Sequence, residues 1–566
     1  MDRITTSLLD AFSKDNGLQA LNEENRFEHL AAFLAIRRHF GRALDTSDVV
    51  VGKGGDTGVD AIAIIVNGAL MTDVDQVQEM LDQNGYIDAT FIFVQAERSP
   101  GFDGAKIGTI GNGVVDFFSQ APKMDRNDKV ADTAAIMAAV YDRSTTFRKR
   151  PSCRAYYVTT GKWTEDKNLA ARRDTVKADI RSTEMFDEVD FLCFGADDIQ
   201  RLYQATKNAI SREFVFEKKV EVPKIPGVDL AFLGYISAKD FVSIISDDAG
   251  DDIIGSIFYD NVRDWQNYNP VNSEMRTTLA SDKKARFVLM NNGVTIIAKT
   301  IKHAGSNFSI EDFQIVNGCQ TSHVIFGQRE ILDDDTVAIP LRLIATKDDD
   351  VIESIVLATN RQTELKPEQL YALTEFAKTL EQYFATFPEA NRLYYERRDG
   401  QYDRLSIEKG RIVSPQNEMK VFAAMFMEEP HTSTKNYQSL RAHVGTKIFA
   451  KTDKLGPYYV AALAAYKLEL QYRSQKISST YKSARYHILL AVRLLLDPKP
   501  LPFMNSREME NRCNDMMASL WDAKKTDDLF QRAKAIIDQV SNGDLSRDNV
   551  RTIAITQDII KMLAQV

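Results

Sequence analysis

Apolar residues recur at helical spacing over 24–40, where Phe27, Leu30, Phe33 and Leu34 fall on one face. Short apolar runs follow at 49–51, 61–66 and 90–94. The last two are nearly continuous, as in strands buried on both faces. Between them, 74–83 has a helical pattern, and 104–118 reads as a further helix. Strands are predicted at 155–159 and 189–193, separated by a charged helix near 167–182. This alternation predicts an α/β domain over 1–215. Pro223 and Pro226 mark 220–229 as a linker. Residues 230–350 read as a mixed α+β central region, and 351–566 as mostly α-helical. Within the latter, 458–496 is long and helical in pattern, and Pro498 and Pro500 stop it.

Composition narrows the class. At 566 residues the chain exceeds one hydrophobic core, which predicts about three to four domains. Hydrophobic residues at 44% and charged residues at 27% describe a globular chain, not a disordered one. The formal net charge of -9 argues against simple coating of nucleic acid, so any such contact must come from a local basic patch. Cys153, Cys193, Cys319 and Cys513 are far apart and form no CxxC pair, which argues against a disulfide scaffold and a cysteine zinc site. The N-terminal MDRITTSLLDAFSKDNG lacks a basic segment followed by an apolar core. The apolar stretch 488–496 is interrupted by Arg493 and is too short to span a bilayer of about 30 Å. The expectation is a cytoplasmic protein with no membrane contact.

The most informative local sequence is 54–60 (GGDTGVD), which leads straight into the strand at 61–66. A buried carboxylate is costly to ionise unless it is paired or binds a cation. The strand at 91–94 runs into Gln95-Ala96-Glu97, and alternation puts Gln95 and Glu97 on one face. If the two strands are neighbours, Asp60, Gln95 and Glu97 converge. Oxygen ligands of this kind suit Mg²⁺ (or Mn²⁺), with Asp60 and Glu97 as metal ligands. Such an ion can activate water against a phosphodiester. Glu28, on the preceding helix, is the fourth candidate catalytic residue. The plain alternative makes Asp56 and Asp60 turn residues and Gln95/Glu97 a solvated strand end.

This order of elements resembles the PD-(D/E)xK nuclease superfamily, in the branch of Mrr-like restriction enzymes. Asp60 matches the Asp of that motif and Gln95 its acidic-or-Gln position. Glu97 stands where Lys is usual, and Glu supplies no positive charge. Arg98 and Lys106 are the candidates to replace it. The resemblance implies a restriction-endonuclease-like α/β domain and a metal-dependent nuclease.

The middle of the chain carries 258–263 (FYDNVR), 287–296 (FVLMNNGVTI), 313–322 (FQIVNGCQTS), 358–362 (ATNRQ) and 394–398 (YYERR). These resemble the signature of the AIPR family, the abortive-infection phage-resistance proteins of bacteria, over roughly 230–500. The resemblance implies anti-phage defence. Physically, 316–322 reads as a strand, a turn at Gly318 and a helix starting near Thr321. Exposed N–H groups there would form an anion site. Asn317, Gly318, Gln320, Thr321, Arg263, Arg361, Arg397 and Arg398 are candidates for binding phosphate. Asn291, Asn292 and Asn360 are candidates for reading a base or sugar. Arginines paired with acids and asparagines in turns are the plain alternative for each residue. No Walker A pattern, HExxH or GxSxG occurs, which argues against P-loop, zinc-protease and serine-hydrolase chemistry.

Arg473, Lys476, Lys482 and Arg485 do not share one face of a straight helix, so a solvated surface is expected there, and His487 is given no role. Three functions remain open: a Mg²⁺-dependent nuclease acting on DNA or RNA, a degenerate nuclease fold that only binds nucleic acid, and a sensing module that regulates a neighbour-encoded defence protein. A homo-oligomer is open as well.

Overall fold

A computed structural model describes the whole chain except residues 42–43, 53, 56, 165, 208–209, 247–249, 251–252, 259–269, 333–335, 361–374, 398–400, 403–404, 406, 436 and 565–566. The N-terminal part begins with α1 (Arg3–Asp15) and α2 (Glu23–Ile36), capped by the carboxylate of Asp2 and the amide oxygen of Asn22. Then follow β1 (Ala61–Val66), β2 (Ala69–Leu70), α3 (Val74–Asn84), β3 (Ala89–Glu97), α4 (Gly104–Phe117) and α5 (Asp128–Tyr141). The part closes with β4 (Ser152–Thr159), α6 (Lys167–Arg181), β5 (Glu188–Phe194) and α7 (Ala196–Lys207). The five strands lie in the order β2-β1-β3-β4-β5. β1 is antiparallel to β3, whereas β3, β4 and β5 are parallel.

Every residue of β1 is buried, because both faces of the sheet are covered. Ile62, Ile64, Phe91 and Phe93 pack with Ile107, Ile110 and Val114 of α4 and Val130 of α5. Ala61, Ala63, Ile65, Ile92 and Val94 pack on the other side with Phe27, Leu30 and Leu34 of α2 and Ile199 of α7. The run expected as a strand at 49–51 makes only an isolated bridge from Val50 to Ala61.

A second sheet follows, built from β6 (Ser211–Val215), β7 (Lys218–Glu221), β8 (Leu230–Ser237), β9 (Val294–Ala304), β10 (Asn307–Asn317) and β11 (Ala338–Ala345). Its order is β6-β10-β9-β11-β8-β7. Strands therefore form on both sides of the prolines: β6 pairs with β10, and β7, at the start of the expected linker, pairs with β8. Around this sheet lie α8 (Ala238–Ile245), α9 (Pro270–Leu279), α10 (Phe287–Met290), α11 (Cys319–Gly327) and α12 (Asp349–Asn360).

The C-terminal region is helical around one large apolar core, with a two-residue parallel ladder of β12 (Tyr394–Tyr395) and β13 (Ile412–Val413) at its edge. The long helical pattern at 458–496 divides into helices Gly456–Arg473 and Arg485–Leu496. Gln475 takes a left-handed φ of 56°, and Ser478 caps a 3-10 segment, Ser479–Ala484. Among the described residues no helix is long and apolar enough to cross a membrane.

Candidate functional site

The glycine-rich turn before β1 depends on backbone that other residues rarely adopt. Gly54, Gly55 and Gly58 have φ of 72°, 63° and 80°. Asn127, the cap of α5, holds the turn from one side, donating from Nδ2 to the carbonyls of Gly52 at 3.0 Å and Gly54 at 3.1 Å. Gly113 of α4 lies against the Thr57 carbonyl so closely that a Cβ would overlap it. Asp56 lies outside the described residues.

The turn delivers Asp60 to the sheet. Its backbone N–H donates to the Val94 carbonyl at 2.8 Å, and its Oδ2 accepts from the Ala96 N–H at 2.7 Å. Ala61 pairs with Val94, so the same register puts Asp60 across from Gln95. Gln95 and Glu97 share the Phe91 and Phe93 face. Directly opposite Cβ atoms lie about 5 Å apart and diagonal ones about 7 Å, within reach of these side chains. The structure thus brings Asp60, Gln95 and Glu97 to one edge of the sheet, at the carboxyl ends of the parallel strands.

Glu97 Oε2 accepts a hydrogen bond of 2.7 Å from the hydroxyl of Tyr157 on β4. Burial, and then this bond, push the Tyr157 phenol well above its ordinary value, so it stays a donor. Phe102 packs edge-on against Tyr157 at 5.5 Å and against Trp163 at 4.9 Å. Tyr157 escaped the sequence reading because β3 and β4 are far apart in the chain. Its only signal was a place in the next predicted strand.

The other candidates fall elsewhere. Glu28 is half-buried on α2, which covers the opposite face of the sheet. Arg98 is ion-paired with Glu23 at 2.9 Å, and Lys106 is exposed on α4. Among the described residues no group of three or more His, Cys, Asp or Glu side chains is placed to hold a metal ion.

The central motifs form a second cluster. Gly318 caps α11 with φ of 100°, and a Cβ there would come within 3.0 Å of the Gly293 carbonyl oxygen, so only glycine fits. Around this turn, Asn291 Nδ2 donates to Thr321 Oγ1 at 3.0 Å, and Asn291 Oδ1 accepts from Gly293 N at 2.7 Å. Asn317 Nδ2 donates to the Thr359 carbonyl of α12 at 2.6 Å. Asn272, fully buried on α9, donates to Gln320 Oε1 at 2.6 Å. Asn292 presents its carbonyl to Arg342 at 3.5 Å, and Asn360 is the last residue of α12. The expected α11 start near Thr321 falls two residues earlier, at Cys319. Arg397 sits in the helical region, paired with Glu381. Arg263, Arg361 and Arg398 lie outside the described residues.

The cationic stretch is a solvated surface only in part, since Lys476 is exposed while Arg473, Lys482 and Arg485 are half-buried. Arg473 is ion-paired with Asp45 and Glu408, Lys476 with Asp527 at 2.5 Å, and Arg485 reaches Asp73 at 3.9 Å. His487 is buried, which lowers its pKa to about 3.

These features define a class: a two-sheet α/β chain whose motif-bearing central part feeds a helical C-terminal core. Residues 258–548, just over half of the chain, match the family described as AIPR protein. The chain belongs to the AIPR family, which is consistent with a role in bacterial anti-phage defence. No curated protein and no solved structure matches the chain.

Proposed function

We propose that this AIPR protein acts in the cytoplasm against phage as a metal-dependent nuclease that hydrolyses phosphodiester bonds of DNA or RNA through its N-terminal domain. The observation that carries the reading is the register of β1 against β3, which sets Asp60 across from Gln95 and two residues from Glu97. The resemblance to PD-(D/E)xK nucleases agrees with it. The donor set fits Mg²⁺ or Mn²⁺, since two carboxylates and an amide oxygen leave room for the waters that Mg²⁺ keeps. Asp60 and Glu97 would hold the ion, which would supply a metal-activated water and charge neutralisation at the phosphate. The chain's own part is orientation. The Ala96 N–H fixes the Asp60 carboxylate, and the Tyr157 hydroxyl fixes Glu97. Gln95 would orient the phosphate or a water. The Gly318 cluster, with Asn291, Asn317, Gln320 and Thr321, would recognise nucleic acid or a trigger.

The test is cleavage of plasmid DNA and total RNA by the purified chain with Mg²⁺ or Mn²⁺. Asp60→Asn and Glu97→Gln should each lower the rate by about 100-fold or more. Equal cleavage by the variants would move the active site elsewhere. A second reading is binding without hydrolysis. It is favoured by Glu at position 97 and by the engagement of Arg98 with Glu23. Metal-independent binding and no cleavage, with or without a neighbour-encoded partner, would support it.

A further inference from the structure

The acidic first turns of α3 are clasped by cations from three separate parts of the helical region. Asp73 caps α3, Asp75 follows in its first turn, and Glu79 lies one turn on. Lys420, on helix Pro415–Phe426, donates from Nζ to both oxygens of Glu79 at 2.9 and 3.1 Å. Arg551, in the turn after Arg547–Val550, is ion-paired with Asp75 and lies 3.6 Å from Asp73. Arg485, at the start of its helix, lies 3.9 Å from Asp73 on its other oxygen. The side chains of Lys420 and Arg551 are 10% and 8% exposed, so these charges are largely withdrawn from water. Glu469 and Tyr486 also lie close to Arg485, and Tyr486 close to Lys420.

The carboxylates of α3 compensate the three cations that converge here. Uncompensated, they would repel each other and be costly to bury. A site of this charge and geometry suits phosphoryl oxygens, for which arginine forks and a lysine point charge are the usual partners. We propose that Lys420, Arg485 and Arg551 form a phosphate-binding cradle, which the carboxylates of α3 occupy in place of phosphate groups. A phosphate-bearing ligand, either a free polyphosphate or the backbone of a nucleic acid, then competes with α3 and loosens the N-terminal domain from the helical region. The cradle lies outside both the Asp60 edge and the Gly318 cluster, so this inference does not depend on nuclease activity.

The test uses the full chain and its Asp73→Asn/Asp75→Asn variant, since asparagine keeps the helix cap while removing charge. Inorganic pyrophosphate is titrated by calorimetry, and hydrogen exchange follows the amides of α3. The variant should bind pyrophosphate about ten-fold more tightly than the parent, because the internal competitor is weakened. Arg551→Gln should abolish the binding, and α3 should exchange faster in pyrophosphate. If the double variant fails to fold, Asp75→Asn alone, at the more exposed rim, should show the same direction. Two results would overturn the cradle: affinity unchanged by either substitution, or equal loosening in sodium chloride of matched ionic strength. A short single-stranded oligonucleotide in place of pyrophosphate separates the sources. Binding of both assigns the site to a nucleic-acid backbone, and binding of pyrophosphate alone assigns it to a free polyphosphate.

Discussion

At the scale of single residues, burial sets the protonation of the groups that matter for stability. Glu418, on helix Pro415–Phe426, is fully buried, and neither carboxyl oxygen has a hydrogen-bond partner among the described residues. Burial raises its pKa well above the ordinary carboxylate range, so the folded chain holds a proton that the unfolded chain releases. Stability from this group is present in acid and lost as pH rises. Glu418→Gln should therefore raise the thermal midpoint at pH 8 by about 2–4 °C and change it little at pH 5. An equal drop at both pH values would mean that the carboxyl is partnered. The histidines have the opposite sign. Burial lowers His29 to about 4, and His39 and His487 to about 3. Between pH 6.5 and about 4 the unfolded chain takes up protons that the folded one does not, so stability falls on acidification through that window. Denaturant midpoints that stay flat from pH 7 to pH 5 would refute this.

At the scale of elements, the candidate site depends on how α4 meets the turn before β1. Gly113 lets the helix approach the Thr57 carbonyl, and Gly58 lies against Thr109 of the same helix. Gly113→Ala should cost about 2–3 kcal/mol, by the general penalty for overpacking. It should also reduce cleavage more than the lost stability explains, because the shifted turn carries Asp60. A melting curve beside a cleavage rate at a temperature where both proteins are folded checks this. Unchanged melting would mean that α4 can retreat without strain.

At the scale of the whole molecule, ion pairs link the N-terminal and helical parts. Lys420 meets Glu79, Arg473 meets Asp45, and Lys129 lies within electrostatic reach of Lys482 and Glu469. Lys420→Met leaves the Glu79 carboxylate buried without its partner and should cost about 3 kcal/mol or more. Combining it with Glu79→Leu should recover most of that, since replacing a buried ion pair by apolar groups is often close to neutral. Chemical denaturation of the two single variants and the double variant measures the coupling. Additive losses would mean that the two groups do not interact.

Local pattern alone determined much of this protein. Short apolar runs marked β1, β3, β4 and β5, and helical patterns marked α2, α3, α4 and α6, because each element buries a face that its own sequence supplies. The turn at Gly318 was legible because its left-handed φ and the Asn291–Gly293 bond are local geometry, whereas Asn317 reaches the Thr359 carbonyl of α12. Tertiary structure decided which residues meet. Strand order set Tyr157 beside Glu97 and Asp60 across from Gln95, while α2 carried Glu28 to the opposite face. β6 joined the second sheet through β10, about a hundred residues on and beyond the reach of any local pattern, while β7 paired with β8 across the proline segment. Arg473 and Arg485 looked solvated because their partners Asp45 and Asp73 lie more than four hundred residues away, and charge pairing at that range is fixed only by the docked chain.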